Sequence, residues 1–169
     1  MNKKTSTLHL FAILSLALLV ILSACGEPPA IMTQERLDLL NCHPGDLPED
    51  QSYKTINGHA PSLDIFIAGA PPLVSTLAYN DTTSTRQSFS CSMFVFEDEQ
   101  IAQQGFESAC DELRPPYDFP DISDQACQGG EQETILVFRH DNILVWIWAD
   151  YNGYWIENVA NRIEDRLNK

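Results

Sequence analysis

Two tryptophans in one predicted β-strand are the residues best suited to hold a ligand. Trp146 and Trp148 lie two positions apart, and side chains alternate along a strand, so both indoles are expected on one face of a sheet. With Tyr151, Tyr154 or Trp155 nearby, they could line a groove for an apolar or ring-bearing ligand. The plainer interpretation, which we favour, is that these rings belong to the core, because aromatic side chains bury well there.

Three acids, Asp118, Asp121 and Asp124, recur every third residue in a predicted loop, and their carboxylates could bind calcium. Their spacing differs from that of a calcium-binding loop, and no glutamate stands at the closing position. We therefore expect an acidic, solvent-exposed loop rather than a metal site.

Other chemical signals point away from catalysis. His43, His59 and His140 have no partner histidine two or four residues away, so each is expected to be a surface or turn residue. The chain has no G-x-S-x-G, H-E-x-x-H, P-loop or dinucleotide-binding glycine motif. Its 24 Asp and Glu offer many accidental carboxylate pairs, so a carboxylate-dependent hydrolase stays an alternative with no preferred residue. We predict no catalytic residue, metal or cofactor.

The elements that position these residues follow from apolar periodicity and from capping and breaking signals. The order, roughly α-β-β-α-β-β-α, indicates an α+β domain, an antiparallel sheet with helices packed on it. The fold of 58–87 is left open, and the proline-bearing acidic segment that runs to about Gly130 is predicted to be a loop. The predicted elements are helices at 33–40, 97–113 and 153–167, strands at 53–57 and 88–96, and a hairpin of strands 134–139 and 143–150.

The hairpin is apolar on both faces, which predicts a central position in the sheet. With Asp141 and Asn142 as its turn, the register of the two strands assigns each side chain to a face. Ile135 and Val137 share one face with Trp146 and Trp148, and Leu136 and Phe138 share the other with Val145 and Ile147. Helices would cover one face, and the first half of the chain the other.

The N-terminus has the composition of an export signal. Lys3 and Lys4 precede an apolar run from Leu8 to Leu22, which is shorter than the roughly 20 residues of a transmembrane helix. Small residues follow the run. We expect residues 1–24 to be a signal peptide, 25–32 a tether and 33–169 a single domain.

The end of this signal, Leu22-Ser23-Ala24-Cys25, resembles the lipobox of bacterial lipoproteins. The resemblance implies cleavage before Cys25, a thioether-linked diacylglycerol on its sulfur and acylation of the new amino group. Several acyl chains anchor a protein stably, whereas one alone is marginal. The location implied is the cell membrane, or an outer membrane where the host has one, because Gly26 carries no acidic retention signal. An ordinary signal peptide with a chance cysteine is the alternative.

Export also changes the interpretation of the other cysteines. Cys42, Cys91, Cys110 and Cys127 are an even number, and outside the cytoplasm that predicts two disulfides. A zinc site is the competing interpretation, but the chain has no C-x-x-C pair. Of the three possible pairings we favour Cys110–Cys127, because the loop returns the chain beneath the same helix end. Cys42–Cys91 then follows largely by elimination.

The charge excludes one class of partner. The whole chain carries a formal charge of −14, and without Lys3 and Lys4 there are 8 basic residues against 24 acidic ones, a charge of −16. Such a polyanion repels phosphate backbones, so no nucleic-acid partner is expected.

Short motifs in the mature chain also resemble small exported bacterial domains, usually lipoproteins without assigned activity. They are Asp46-Leu47-Pro48, Val95-Phe96 before a helix, and Asp124-Gln125-Ala126 before a hairpin. The resemblance covers about two thirds of the mature chain and carries no catalytic residue. The expected function is a non-enzymatic, lipid-anchored domain that binds an envelope protein or small ligand. The alternatives are an envelope hydrolase and a purely structural envelope component.

Overall fold

The computed structural model describes residues 31–47, 53–56, 73–81, 88–113, 117–118, 122–130, 133–150 and 155–169. Within the chain, Met32–Lys169 forms one compact unit. No helix among the described residues has the length and apolar character needed to cross a bilayer. The predicted features outside the described residues are the signal peptide, Cys25, most of the tether, the segment 58–72, His59, Asp121, Tyr151 and Tyr154.

Three α-helices and seven strands make up the described part of the chain. Thr33 caps the first helix by accepting the N–H of Arg36 at 3.3 Å, and Asp98 caps the second by accepting the N–H of Ile101 at 2.8 Å. The helices are α1 (Gln34–Leu40), α2 (Glu99–Glu112) and α3 (Ile156–Leu167), with a 3-10 turn at Pro44–Asp46. The strands are β1 (Tyr53–Ile56), β2 (Leu73–Asp81), β3 (Ser88–Val95), β4 (Tyr117–Asp118), β5 (Gln125–Gly129), β6 (Thr134–His140) and β7 (Ile143–Ala149).

The strands form one antiparallel sheet in the order β1-β2-β3-β7-β6-β5-β4. This confirms the predicted α+β class and the central position of the β6–β7 hairpin. Asp141 and Asn142 form the hairpin turn, and His140 pairs with Ile143 on either side of it. Trp148 pairs with Ile135, so the register of the hairpin is also the one predicted.

The sheet is covered on both faces, and each face has its own apolar core. Helix α2 packs over β5, β6 and β7 on one face, and α1 and α3 pack on the other. The large apolar side chains at the centre of the hairpin are almost fully excluded from water on both faces. The core on the α2 side contains Phe94, Phe106, Ala109, Ile135, Val137, Leu144 and Trp146. The core on the α1–α3 side contains Leu37, Phe89, Met93, Leu136, Phe138, Val145, Ile147, Ile156, Val159 and Ile163.

The predicted order of elements was incomplete in two places. Strand β2 lies within the segment 58–87, whose fold the sequence left open, and β5 with its short neighbour β4 occupies the acidic segment predicted to be a loop. Small and polar residues interrupt the apolar alternation of both strands, as Ser75 and Thr76 do in β2. Long-range pairing with β3 and β6 forms these strands where local pattern is weak.

Both disulfides join the pairs that the sequence favoured. Cys42 and Cys91 lie 6.1 Å apart between their Cα atoms, and Cys110 and Cys127 lie 6.0 Å apart. Cys42 and Cys91 are fully buried. The first bond ties the segment after α1 to β3, and the second ties the end of α2 to β5.

A cluster that we call the arginine clamp fastens α3 to the segment after α1. Arg166 makes a bidentate pair with Asp46, with Nη2 to Oδ2 at 2.8 Å and Nη1 to Oδ1 at 3.0 Å. The same guanidinium donates to the carbonyls of Leu40 and Asn41, both at 3.0 Å. Four of its five donors are therefore engaged, and the Asp46 side chain is only 7% exposed.

Buried polar contacts extend the clamp to the sheet. The Asn41 amide donates to the carbonyl and hydroxyl oxygens of Ser75 in β2, at 3.1 and 3.0 Å. The Tyr79 hydroxyl donates to the Cys42 carbonyl at 3.3 Å. Burial, together with the nearby Asp46 carboxylate, raises the pKa of Tyr79 and so widens the pH range over which this phenol remains a donor.

Candidate functional site

The candidate site is a group of side chains on the α2 side of the sheet, across β2, β3 and β7. Ser90 pairs with Trp148 and Ser92 pairs with Trp146, while Thr76 pairs with Ser92. Paired residues of an antiparallel sheet point to the same face, so the five side chains form two adjacent rows on one face: Thr76, Ser92 and Trp146 in one, Ser90 and Trp148 in the other. We call these five side chains the hydroxyl–tryptophan strip.

The two tryptophans of the strip differ in burial. Trp146 is 8% exposed and belongs to the core under α2, as the plainer interpretation of the sequence predicted. Trp148 is half-buried, and its indole N–H donates to the Glu133 carboxylate at 2.6 Å. This hydrogen bond fixes the orientation of an aromatic ring that is still partly open to solvent.

Hydroxyl groups continue the strip away from Trp148. Thr76 Oγ1 and Ser92 Oγ lie 3.1 Å apart and share a hydrogen bond. Ser92 is buried at 1% exposure, whereas Thr76 and Ser90 are half-buried. The strip thus offers a partly open indole, two partly open hydroxyls and, at its end, the exposed Glu133 carboxylate. Stacking and hydrogen bonding are both available there.

The remaining aromatic candidates do not join the strip. Trp155 is 5% exposed and lies in the core on the α1–α3 side, with its ring 5.0 Å from that of Phe89. The hypothesis that Trp155 could share a groove with Trp146 and Trp148 is therefore wrong, because the sheet separates them. Tyr154 lies outside the described residues.

Sequence reasoning missed a contact between Ser123 and His140, because 17 residues separate them. Ser123 Oγ lies 3.2 Å from His140 Nδ1, and Asp141 Oδ2 lies 3.9 Å from His140 Nε2. The second distance exceeds that of a hydrogen bond, so Asp141 does not orient the imidazole as a catalytic triad requires. The contact instead ties the loop before β5 to the β6–β7 turn.

Asp124, one of the three acids considered as calcium ligands, contacts the same turn. Its Oδ2 accepts the backbone N–H of Asp141 at 3.0 Å and lies 3.4 Å from Nη2 of Arg139. A positive φ of 50° at Asp141 makes this turn tight. Across the described residues, no group of three or more His, Cys, Asp and Glu side chains is arranged to hold a metal ion.

His43 also has a structural contact. Its Nε2 lies 2.8 Å from the Leu39 carbonyl, and its backbone N–H donates to Asp46 at 2.8 Å. The histidine therefore helps the chain turn from α1 into the 3-10 segment that carries the arginine clamp.

Comparison with known proteins gives no match, so the interpretation of the site depends on its geometry. The chain matches no protein-family model, and no curated protein and no solved structure is significantly similar to it.

Proposed function

We propose that this protein is a lipid-anchored domain of the bacterial cell envelope that binds a ring-bearing ligand at the hydroxyl–tryptophan strip without transforming it. The anchor is the lipidated Cys25, and the compact unit behind it presents the strip. The lipobox Leu22-Ser23-Ala24-Cys25 supports the first half of this proposal. The partly open, oriented indole of Trp148 is the single observation that carries the second half.

The disulfides support an extracytoplasmic location. Disulfide bonds persist in oxidising compartments and are rare where thiols are kept reduced. All four cysteines that follow Cys25 are paired in two bonds. A chain that keeps both bonds is suited to the outer face of a membrane.

The chemistry of the strip favours an uncharged sugar ring over other ring-bearing ligands. A pyranose ring has an apolar C–H face that stacks on an indole, and its hydroxyls bond to side chains such as Ser90, Thr76 and Glu133. An anionic ligand would approach the chain, whose formal charge is −16 without Lys3 and Lys4, against electrostatic repulsion. A purely apolar ligand would offer no hydrogen-bond partner to the half-buried Ser90 hydroxyl.

We expect an oligosaccharide of N-acetylglucosamine to bind, and Trp148→Ala to weaken its binding by about tenfold, the effect of losing one aromatic anchor. Isothermal titration calorimetry on the full-length protein, extracted in mild detergent, measures the dissociation constant. Trp148→Phe keeps a ring and should lose less.

The matched control is Trp155→Phe, which alters a tryptophan on the opposite face of the sheet. It should leave the dissociation constant unchanged. Equal weakening by Trp155→Phe and Trp148→Ala would show that the loss is one of folding and not of contact. No binding of the oligosaccharide to the unaltered protein would contradict the proposed ligand class.

The anchor has its own test. In cells grown with labelled palmitate, the unaltered protein should carry the label, and Cys25→Ser should lose it and stay unprocessed. A thioether to diacylglycerol requires the cysteine sulfur, which serine lacks. Gel autoradiography of the immunoprecipitated protein makes the comparison, and label retained on the Cys25→Ser chain would refute the assignment.

A further inference from the structure

The length of chain between the proposed anchor and the domain is short. Ile31, the first described residue, stands six positions after Cys25. Six residues, even fully extended, reach about 20 Å. Met32, the next residue, packs against the core on the α1–α3 side, and α1 begins at Gln34. The layer formed by α1 and α3 therefore cannot move far from the lipid headgroups.

Two exposed apolar side chains lie in α1 or shortly before it in the sequence. Among the large apolar residues that the structure describes, Ile31 is 87% exposed and Leu39 is 64% exposed. Leu39 lies two positions from the fully buried Leu37, so it projects from the outer side of α1. Apolar side chains beside a lipid anchor gain by entering the interface of a bilayer.

Charge differs between the two faces of the sheet. The exposed bases and acids of the α1–α3 layer nearly balance, whereas the α2 segment from 97 to 112 has only acids among its charged residues. On the α1–α3 side the exposed charges are Arg36, Arg162 and Lys169 against Glu35, Asp38, Glu157 and Asp165. In the α2 segment they are Glu97, Asp98, Glu99, Glu107, Asp111 and Glu112.

We propose that the α1–α3 layer is a membrane-facing surface, which rests on the headgroups of an anionic bilayer with Ile31 and Leu39 at the interface. The inference rests on the proposed lipid anchor at Cys25. The six carboxylates of the α2 segment are repelled by anionic lipids and turn away from them. The tether length, the exposed apolar residues and the charge difference all select the same orientation.

The orientation has a consequence for the hydroxyl–tryptophan strip. The strip lies on the α2 face of the sheet, opposite the layer that faces the lipid. Trp148 is therefore presented to the space outside the membrane, where a glycan of the envelope would reach it.

Photocrosslinking in vesicles tests the orientation. Benzoylphenylalanine is placed at position 39 or, as the matched control, at position 104, where Gln104 is exposed and uncharged on α2. Each full-length protein is purified in detergent after lipidation in cells. It is then inserted into vesicles of phosphatidylethanolamine and phosphatidylglycerol, and lipid adducts are quantified by mass spectrometry.

We expect lipid adducts at position 39 to exceed those at position 104 by about tenfold, as for a side chain that enters the interface against one held outside it. Equal yields, or a higher yield at position 104, would overturn the orientation. The mass of the purified protein distinguishes a failure of the proposed anchor from a failure of the proposed orientation. A chain without acyl groups on Cys25 refutes the anchor and with it this inference, whereas an acylated chain with equal yields refutes the orientation alone.

Discussion

Arg166→Met is expected to lower the free energy of unfolding by about 3 kcal/mol, the cost of leaving one member of a buried ion pair alone. Asp46 is 7% exposed, so its carboxylate would lose its bidentate partner without gaining full access to water. The carbonyls of Leu40 and Asn41 would lose their donors as well. Urea denaturation followed by circular dichroism measures the change.

Two variants separate the arginine clamp from a general effect of charge. Arg162→Met removes an exposed arginine of the same helix that donates to a single carbonyl, that of Gly45, and should cost less than about 1 kcal/mol. Arg166→Lys keeps the charge but lacks the planar fork, so it should fall between the two. If Arg162→Met lowered the free energy of unfolding as much as Arg166→Met, the arginine clamp would contribute no more stability than an exposed arginine.

Removal of the Cys42–Cys91 bond by the double change to Ala is expected to cost about 4 kcal/mol from loop-closure entropy. The bond closes a segment with a sequence separation of 49, and both side chains are fully buried. The same change at Cys110–Cys127, with a separation of 17, should cost about 3 kcal/mol.

The informative result is which of the two double variants loses more free energy of unfolding. Urea unfolding of both double variants, compared with the unaltered protein under non-reducing conditions, measures it. A greater loss at Cys110–Cys127 would mean that loop length does not govern the stability these bonds contribute. Refolding that is abolished only without the Cys42–Cys91 bond would agree with its role in holding α1 to the sheet.

Local patterns predicted those parts of the fold that depend on neighbours in sequence. The β6–β7 hairpin alternates cleanly and turns at Asp141, so its register and faces could be assigned in advance. Helix α3 was recognised from its apolar stripe, with Ile156 and Ile163 buried as expected. The apolar periodicity of these elements is strong, and it can be recognised from residues that are close together in the sequence.

Long-range contacts could not be predicted in the same way. Arg166 and Asp46 stand 120 residues apart, and nothing in either neighbourhood marks them as partners. Strand β5 contains Ala126 and Cys127 but little other apolar sequence, and it forms because β6 offers an open edge. Pairing of distant strands decides such cases.

The candidate site was partly foreseen. Trp146 and Trp148 were singled out because they share a face, and the preference for a core role holds for Trp146. The hydroxyls of Ser90 and Ser92 could not be associated with them, because only the pairing of β3 with β7 brings them together. Two serines in a strand are common, and nothing in their local sequence signals a ligand.

The central claim is that the protein is held at the envelope by lipid on Cys25, and the intact mass of the chain recovered from cell membranes tests it most directly. The account predicts a chain that begins at Cys25, with the added mass of a diacylglyceryl group on its sulfur. Digestion should place that mass on the peptide that contains Gly26. A chain that begins at Met1, or one cleaved elsewhere with an unmodified Cys25, would contradict the account.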